Sequence, residues 1–74
     1  MDERSFGERV ASLRSTQSLT LQQLGNILGL TKAAVGNLQH GRKKPSVDVL
    51  IAIADYFDVS LDYLVGRSDD PVRR

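Results

Sequence analysis

Between Thr31 and Gly41 the chain reads Thr-Lys-Ala-Ala-Val-Gly-Asn-Leu-Gln-His-Gly. Set on a helix at about 100° per residue, Lys32, Ala33, Gly36, Asn37 and His40 share one side, and Ala34, Val35 and Leu38 share the other. The second side is small and apolar enough to dock on a core. The first offers donors and small residues, with no bulky apolar group and no acid, so it can be pressed against a polyanion. The basic loop Gly41-Arg42-Lys43-Lys44-Pro45-Ser46 follows at once. Gly41 closes the helix, and Pro45 keeps Lys44 out of helical geometry.

The formal net charge of +1 conceals a strong asymmetry. Residues 9–47 contain Arg9, Arg14, Lys32, Arg42, Lys43 and Lys44 and no acid, whereas residues 48–74 carry a net charge of −3. The first part attracts polyanions and the second repels them.

Other chemistries find little support. Without cysteine there is neither a disulfide nor a thiolate metal site. His40 is the only histidine and has no carboxylate or cysteine neighbour in sequence, so it suits a phosphate or water contact better than a metal or a catalytic base. Ser, Asp and His are present with nothing to arrange them as a triad. We therefore expect no enzyme, no catalytic residue, no metal and no cofactor. No apolar run approaches the roughly 18 residues of a membrane span. The start, Met1-Asp2-Glu3-Arg4, lacks the basic and apolar regions of a secretory signal, which points to a cytoplasmic protein.

The elements that must hold the polyanion-facing helix are marked by caps. Ser5-Phe6-Gly7-Glu8 reads as a capping box opening a first helix to about Gln17, with Phe6, Val10 and Leu13 inward and Arg9 and Arg14 outside or at the margin. Thr20 and Gln23 form a second capping box, Leu19 and Leu24 a hydrophobic staple. The helix they open runs to about Leu28 with Leu24, Ile27 and Leu28 inward, and Gly29 ends it. Only Leu30 separates Gly29 from the next cap, Thr31, so the second and third helices must cross steeply. Gly25 faces that crossing, where a missing side chain permits close approach at a helix cost of roughly 1 kcal/mol against alanine. Ser46 caps a fourth helix, about Val47 to Phe57, with Val47, Leu50, Ile51, Ala54 and Phe57 inward and Ile53 and Tyr56 at the edge or outside. Ser60 caps a short fifth helix, Leu61 to Val65, ended by Gly66. This is an all-α, five-helix domain over residues 1–66, followed by a flexible polar tail over residues 67–74.

Leu21 to His40 resembles the helix-turn-helix of the lambda/434 repressor and Cro-type regulators, and residues 6–66 resemble their whole five-helix domain. The resemblance rests on Leu24, Gly29, Leu30, Val35 and Leu38 within the motif, on Phe6-Gly7-Glu8-Arg9 and Leu19-Thr20 before it, and on the basic loop and Val59-Ser60-Leu61-Asp62-Tyr63-Leu64 after it. It implies a sequence-specific transcriptional regulator, a repressor by analogy, bacterial or phage-encoded and associated with the nucleoid. Its partner would be operator DNA, bound as a homodimer at least on the duplex.

By the same resemblance Lys32, Ala33, Gly36 and Asn37 face bases. Lysine can donate to guanine O6 and N7, asparagine can pair with adenine, and alanine can meet a thymine methyl. Arg14, Thr20, Leu21, Gln22, His40, Arg42, Lys43 and Lys44 are the expected phosphate contacts. The dimer surface is expected on the fourth and fifth helices, at Tyr56, Val59, Tyr63, Val65 and the residues that follow.

Three departures from the family pattern stand out. Leu21 replaces a phosphate-gripping glutamine, leaving that work to backbone amides and Gln22. Arg14 faces Gln39 rather than a glutamate, which replaces an ion pair by a neutral hydrogen bond. Gly25 replaces the usual alanine, which should loosen the second helix. A protein-interaction module on the same fold, such as an antitoxin or a partner-controlled regulator, is the alternative reading.

Overall fold

The computed structural model describes residues 1–73 as five helices with no strand: α1 (Glu3–Thr16), α2 (Leu21–Leu28), α3 (Lys32–Gln39), α4 (Val47–Phe57) and α5 (Leu61–Leu64). Four of them start as their caps predict. The hydroxyls of Thr20, Thr31, Ser46 and Ser60 each accept the amide three residues on, at 3.0–3.1 Å. The Gln23 side chain closes the second box by accepting the Thr20 amide at 2.8 Å. Helix α1 differs: its N-cap is Asp2, which accepts from the Arg4 amide at 3.0 Å, and Ser5 lies inside the helix, donating to the Asp2 carboxylate at 3.1 Å. An ionised cap is favoured there because its charge opposes the helix dipole.

The turn between α2 and α3 is built on two glycines. Gly29 adopts φ 71°, the left-handed geometry that ends α2, and the Leu30 amide reaches back to the Gly25 carbonyl at 2.8 Å. Gly25 is buried in the crossing, where a Cβ would sit 2.6 Å from the Leu30 carbonyl oxygen. The close approach expected where Gly25 lacks a side chain is observed: the turn at this spacing has no room for alanine. A similar close approach joins α1 to α3, since a Cβ on Gly7 would lie 2.7 Å from the Leu38 carbonyl oxygen and nearer still to that of Gln39.

Every helix contributes to one core: Phe6 and Val10 of α1, Leu24 of α2, Val35 and Leu38 of α3, Ile53, Ala54 and Phe57 of α4, then Val59 and Leu64. Burying a side chain such as Leu24 fully contributes about 1.5–3 kcal/mol. Leu13, Leu19, Leu28 and Leu30 pack around it, half-buried.

Helix α4 is turned relative to expectation. Ile53 is fully buried, whereas Val47 is 70% and Ile51 43% exposed. Its segment Val47–Ala54 is apolar at every position but Asp48, so period alone selects no face; the contacts with α2 and α5 do. Ile27 of α2, expected inward, is also exposed.

Residues 67–73 carry no helix but follow the body closely. The amides of Arg67 and Ser68 donate to the Asp62 carbonyl at 2.8 and 3.2 Å, and the Ser60 amide donates to the Pro71 carbonyl at 3.0 Å. Arg73 hydrogen-bonds Asp55. Arg9 is the clasp: its Nη1 donates to the carbonyls of Tyr63 and Ser68, its Nη2 to Asp69 at 2.8 Å, and its guanidinium lies 4.2 Å from the Tyr63 ring centroid. Arg74, part of the expected tail, lies outside the described residues. No helix among the described residues is long and apolar enough to cross a membrane.

Candidate nucleic-acid interface

Helix α3 is held from behind. Val35 and Leu38 are buried in the core, α1 abuts its C-terminal carbonyls at Gly7, and α2 crosses it at Gly25. Its other side is free. Lys32, Ala33, Gly36, Asn37 and His40 line a shallow concavity of about 370 Å³, bounded by Leu21 at the start of α2 and by Arg42 beyond the end of α3. The five residues that the helical spacing put on one side therefore form one surface. Lys32, Ala33 and His40 are exposed, Gly36 and Asn37 half-buried.

Backbone geometry carries the basic loop out of the helix. Gly41 has φ 71°, and the Arg42 amide donates to the Asn37 carbonyl at 2.9 Å. Arg42, Lys43 and Lys44 are exposed. The loop rests on the first turn of α1, where a Cβ on Gly41 would lie 3.2 Å from Arg4 Cα, and Lys44 approaches Glu3 at 3.7 Å. Sequence reasoning did not place this turn of α1 beside the loop. The contact joins segments some 40 residues apart and no local pattern announces it.

Ion pairing divides the cations. Arg9, Arg67 and Arg73 pair with acids of the C-terminal half. Lys32, Arg42 and Lys43 have no ion-pair partner among the described residues. Arg9, counted with the cations of the acid-free interval, points away from this surface.

Arg14 stands between α1, α2 and α3. Its Nε donates to Gln39 Oε1 at 2.9 Å and its Nη1 to the Leu19 carbonyl at 2.7 Å, so the neutral hydrogen bond expected for this pair is present. These bonds hold the guanidinium half-buried at the start of α2. At that helix start the capping box uses the Gln23 amide, and the amides of Leu21 and Gln22 have no internal acceptor among the described residues.

The expected dimer residues scatter. Tyr56 is exposed and Val65 half-buried. Tyr63 is half-buried beneath Arg9. Val59 is 5% exposed and belongs to the core, which removes it from any surface; the left-handed turn at Asp58 (φ 54°) ends α4, and Val59 packs inward directly after it. Leu61 on α5 and Val72 in the segment that follows are also exposed apolar residues.

A short helix ending in a left-handed glycine, a close approach at Gly25, and a second helix presented outward make a helix-turn-helix. The helix-turn-helix family model HTH_3 matches residues 10–64. The chain belongs to this family. Among its relatives is YobD of Bacillus subtilis strain 168, described as an uncharacterized HTH-type transcriptional regulator. It is 39% identical over 66 residues, which cover 89% of this chain and 59% of YobD. AnsR of the same organism, an HTH-type transcriptional regulator, is 33% identical over 60 residues, covering 81% of this chain and 52% of AnsR. The helix-turn-helix domain thus spans just over half the length of the curated relatives it matches.

Solved structures agree on the fold. The P22 c2 repressor in complex with a synthetic operator superposes with a TM-score of 0.75 at 25% identity, covering 80% of this chain and 89% of that one. The restriction-modification controller protein C.AhdI of Aeromonas hydrophila gives 0.76 at 27% identity, covering 85% and 96%. The five-helix, lambda/434-repressor-like architecture read from the sequence is the one observed.

Proposed function

We infer that this chain is a sequence-specific double-stranded DNA-binding domain of a transcriptional regulator, with α3 in the major groove and α2 across the backbone. The observation that carries the reading is the outward side of α3. It is free of acids, small at Ala33 and Gly36, polar at Lys32, Asn37 and His40, and continuous with the unpaired cations Arg42 and Lys43. A helix of that profile fits the roughly 12 Å width of the major groove. Lys32 and Asn37 are assigned to base edges. Arg42, Lys43, Lys44, His40 and the amides of Leu21 and Gln22 are assigned to phosphates, with Thr20 and Gln22 beside them. Arg14, tied to Gln39 and Leu19, contributes its charge to the phosphate side more than a flexible contact.

The P22 c2 relative is an operator-bound repressor, which supports repression as the mode of action. We further infer a homodimer on DNA. One such module has a small contact area, and two related by a two-fold axis would read half-sites about one helical turn apart. The exposed apolar residues Tyr56, Leu61 and Val72, beside Val65, supply a candidate contact surface. A cytoplasmic location follows from the same reading.

The test is selection of binding sites from random duplexes, followed by anisotropy titration of the selected duplex and a scrambled one over a range of salt. The expected result is preference for the selected duplex and log affinity falling linearly with log salt. Equal binding to both duplexes, or affinity indifferent to salt, overturns the reading.

A further inference from the structure

Leu21 is the residue at this surface to which the phosphate-binding account gives no side-chain role. It is the first residue of α2, half-buried, packed inward on the core and bounding the concavity in front of α3. A leucine side chain neither donates nor accepts a hydrogen bond, so toward a phosphate it offers nothing. Ala33 lines the same concavity with a methyl group. Gly36 lines it with no side chain, and a Cβ placed there would have no protein atom within 4 Å. Leu21 and Ala33 thus bring hydrocarbon side chains, and Gly36 none, to one surface beside the polar Lys32, Asn37 and His40.

Among the groups on the major-groove edge of a duplex, the apolar one is the C5-methyl of a pyrimidine. Thymine carries it, and so does 5-methylcytosine. We propose that Leu21, together with Ala33 and the open floor at Gly36, is a specificity-determining residue that receives a pyrimidine C5-methyl group. The inference rests on the reading of α3 as the groove helix and names one chemical group which that helix and Leu21 select. Each member has a part: Leu21 supplies the wall, Ala33 the facing methyl, and Gly36 the room for the base edge to approach. Removing one buried methyl group should weaken binding about threefold to fivefold.

The experiment uses the full chain and the duplex obtained by site selection. Each thymine is replaced in turn by deoxyuridine, which deletes the methyl and keeps the hydrogen-bonding pattern, and each cytosine by 5-methylcytosine. The expected result is a loss of about threefold to fivefold at one or two deoxyuridine positions per half-site, which assigns thymine, or a gain of that size at a 5-methylcytosine position, which assigns the methylated base. Leu21→Ala should flatten the response and Leu21→Met should retain it. The readout is a ratio between two duplexes for the same protein, so a smaller folded fraction in a variant cancels. If the selected duplex is bound specifically but every methyl substitution is silent, or if Leu21→Ala keeps the whole response, the inference is overturned and the groove reading stands. If no duplex is preferred over random sequence, the groove reading fails and this inference fails with it.

Discussion

Arg14 and Gln39 are joined by a hydrogen bond of 2.9 Å from a guanidinium Nε to a neutral amide oxygen, across 25 residues of sequence and at the meeting point of α1 and α3. The pair ties α3 to α1 without cancelling charge, because the acceptor is not a carboxylate. Gln39→Glu should therefore act in two directions at once. An ion pair in this half-buried place is stronger than a bond from the same guanidinium to a neutral amide, so stability in urea should rise, by roughly 0.5–1 kcal/mol. The added negative charge beside the phosphate side should lower duplex affinity and steepen nothing else. Arg14→Ala should lower both stability and affinity. Parallel denaturation and anisotropy measurements on the two variants check this opposition of signs.

Gly7 and Gly36 predict opposite outcomes for the same substitution. Gly7→Ala forces a methyl group into the Leu38 and Gln39 carbonyls, which α1 and α3 can relieve only by moving apart; a cost of about 1–3 kcal/mol or more is expected in urea denaturation. Gly36→Ala meets no protein atom and lies inside a helix, so it should stabilise the free protein by roughly 0.5–1 kcal/mol. On the duplex the added methyl occupies the room through which the base edge approaches, so Gly36→Ala should bind less tightly while folding better. A variant with higher stability and unchanged affinity would show that the glycine serves no groove function.

Local chemistry made most of this molecule legible. Thr20 with Gln23, Thr31, Ser46, Ser60 and Gly29 act within four residues of themselves, so their roles can be read in one dimension, and the limits of α2 and α4 follow from them. The outward side of α3 was legible for the same reason, because that helix is polar or small on one side only. Where the hydrophobic pattern is saturated, as in Val47–Ala54, the inward face is chosen by neighbours in space, and Ile53 and Ile51 exchange places relative to expectation. Ser5 lost the cap of α1 to Asp2, three residues earlier, because both are competent caps and the helix extends to the earlier one. The Arg9 clasp on Tyr63, Ser68 and Asp69 spans 54–60 residues and leaves no trace in any local window.

The Asp2 cap gives a pH dependence of known sign. The Arg4 amide, and then the Ser5 hydroxyl, donate to its carboxylate and hold its pKa below the ordinary aspartate range. A carboxyl group with a depressed pKa in the folded state contributes stability above its unfolded pKa of about 3.9, and that contribution is lost as pH falls through the lower folded value. Wild type should therefore be more stable than Asp2→Ala at neutral pH, and the two denaturation midpoints should converge below about pH 4. A gap that persists unchanged to lower pH would assign the effect to something other than the ionised cap.

Lys43 and Asn37 separate affinity from choice. Lys43 is exposed, lies in the loop that leaves α3, and has no ion-pair partner among the described residues. Lys43→Ala should weaken selected and scrambled duplexes by the same factor and reduce the slope of log affinity against log salt by about one. Asn37 lies within the concavity, and Asn37→Ala should cost about 1–3 kcal/mol on the selected duplex while leaving the scrambled duplex and the salt slope nearly unchanged. Lys32→Ala tests the boundary between the two classes, because lysine reaches both a guanine edge and a phosphate. Loss of preference at one base pair places it with Asn37; a uniform loss with a shallower slope places it with Lys43. If Asn37→Ala and Lys43→Ala weaken both duplexes alike, the outward side of α3 does not read bases.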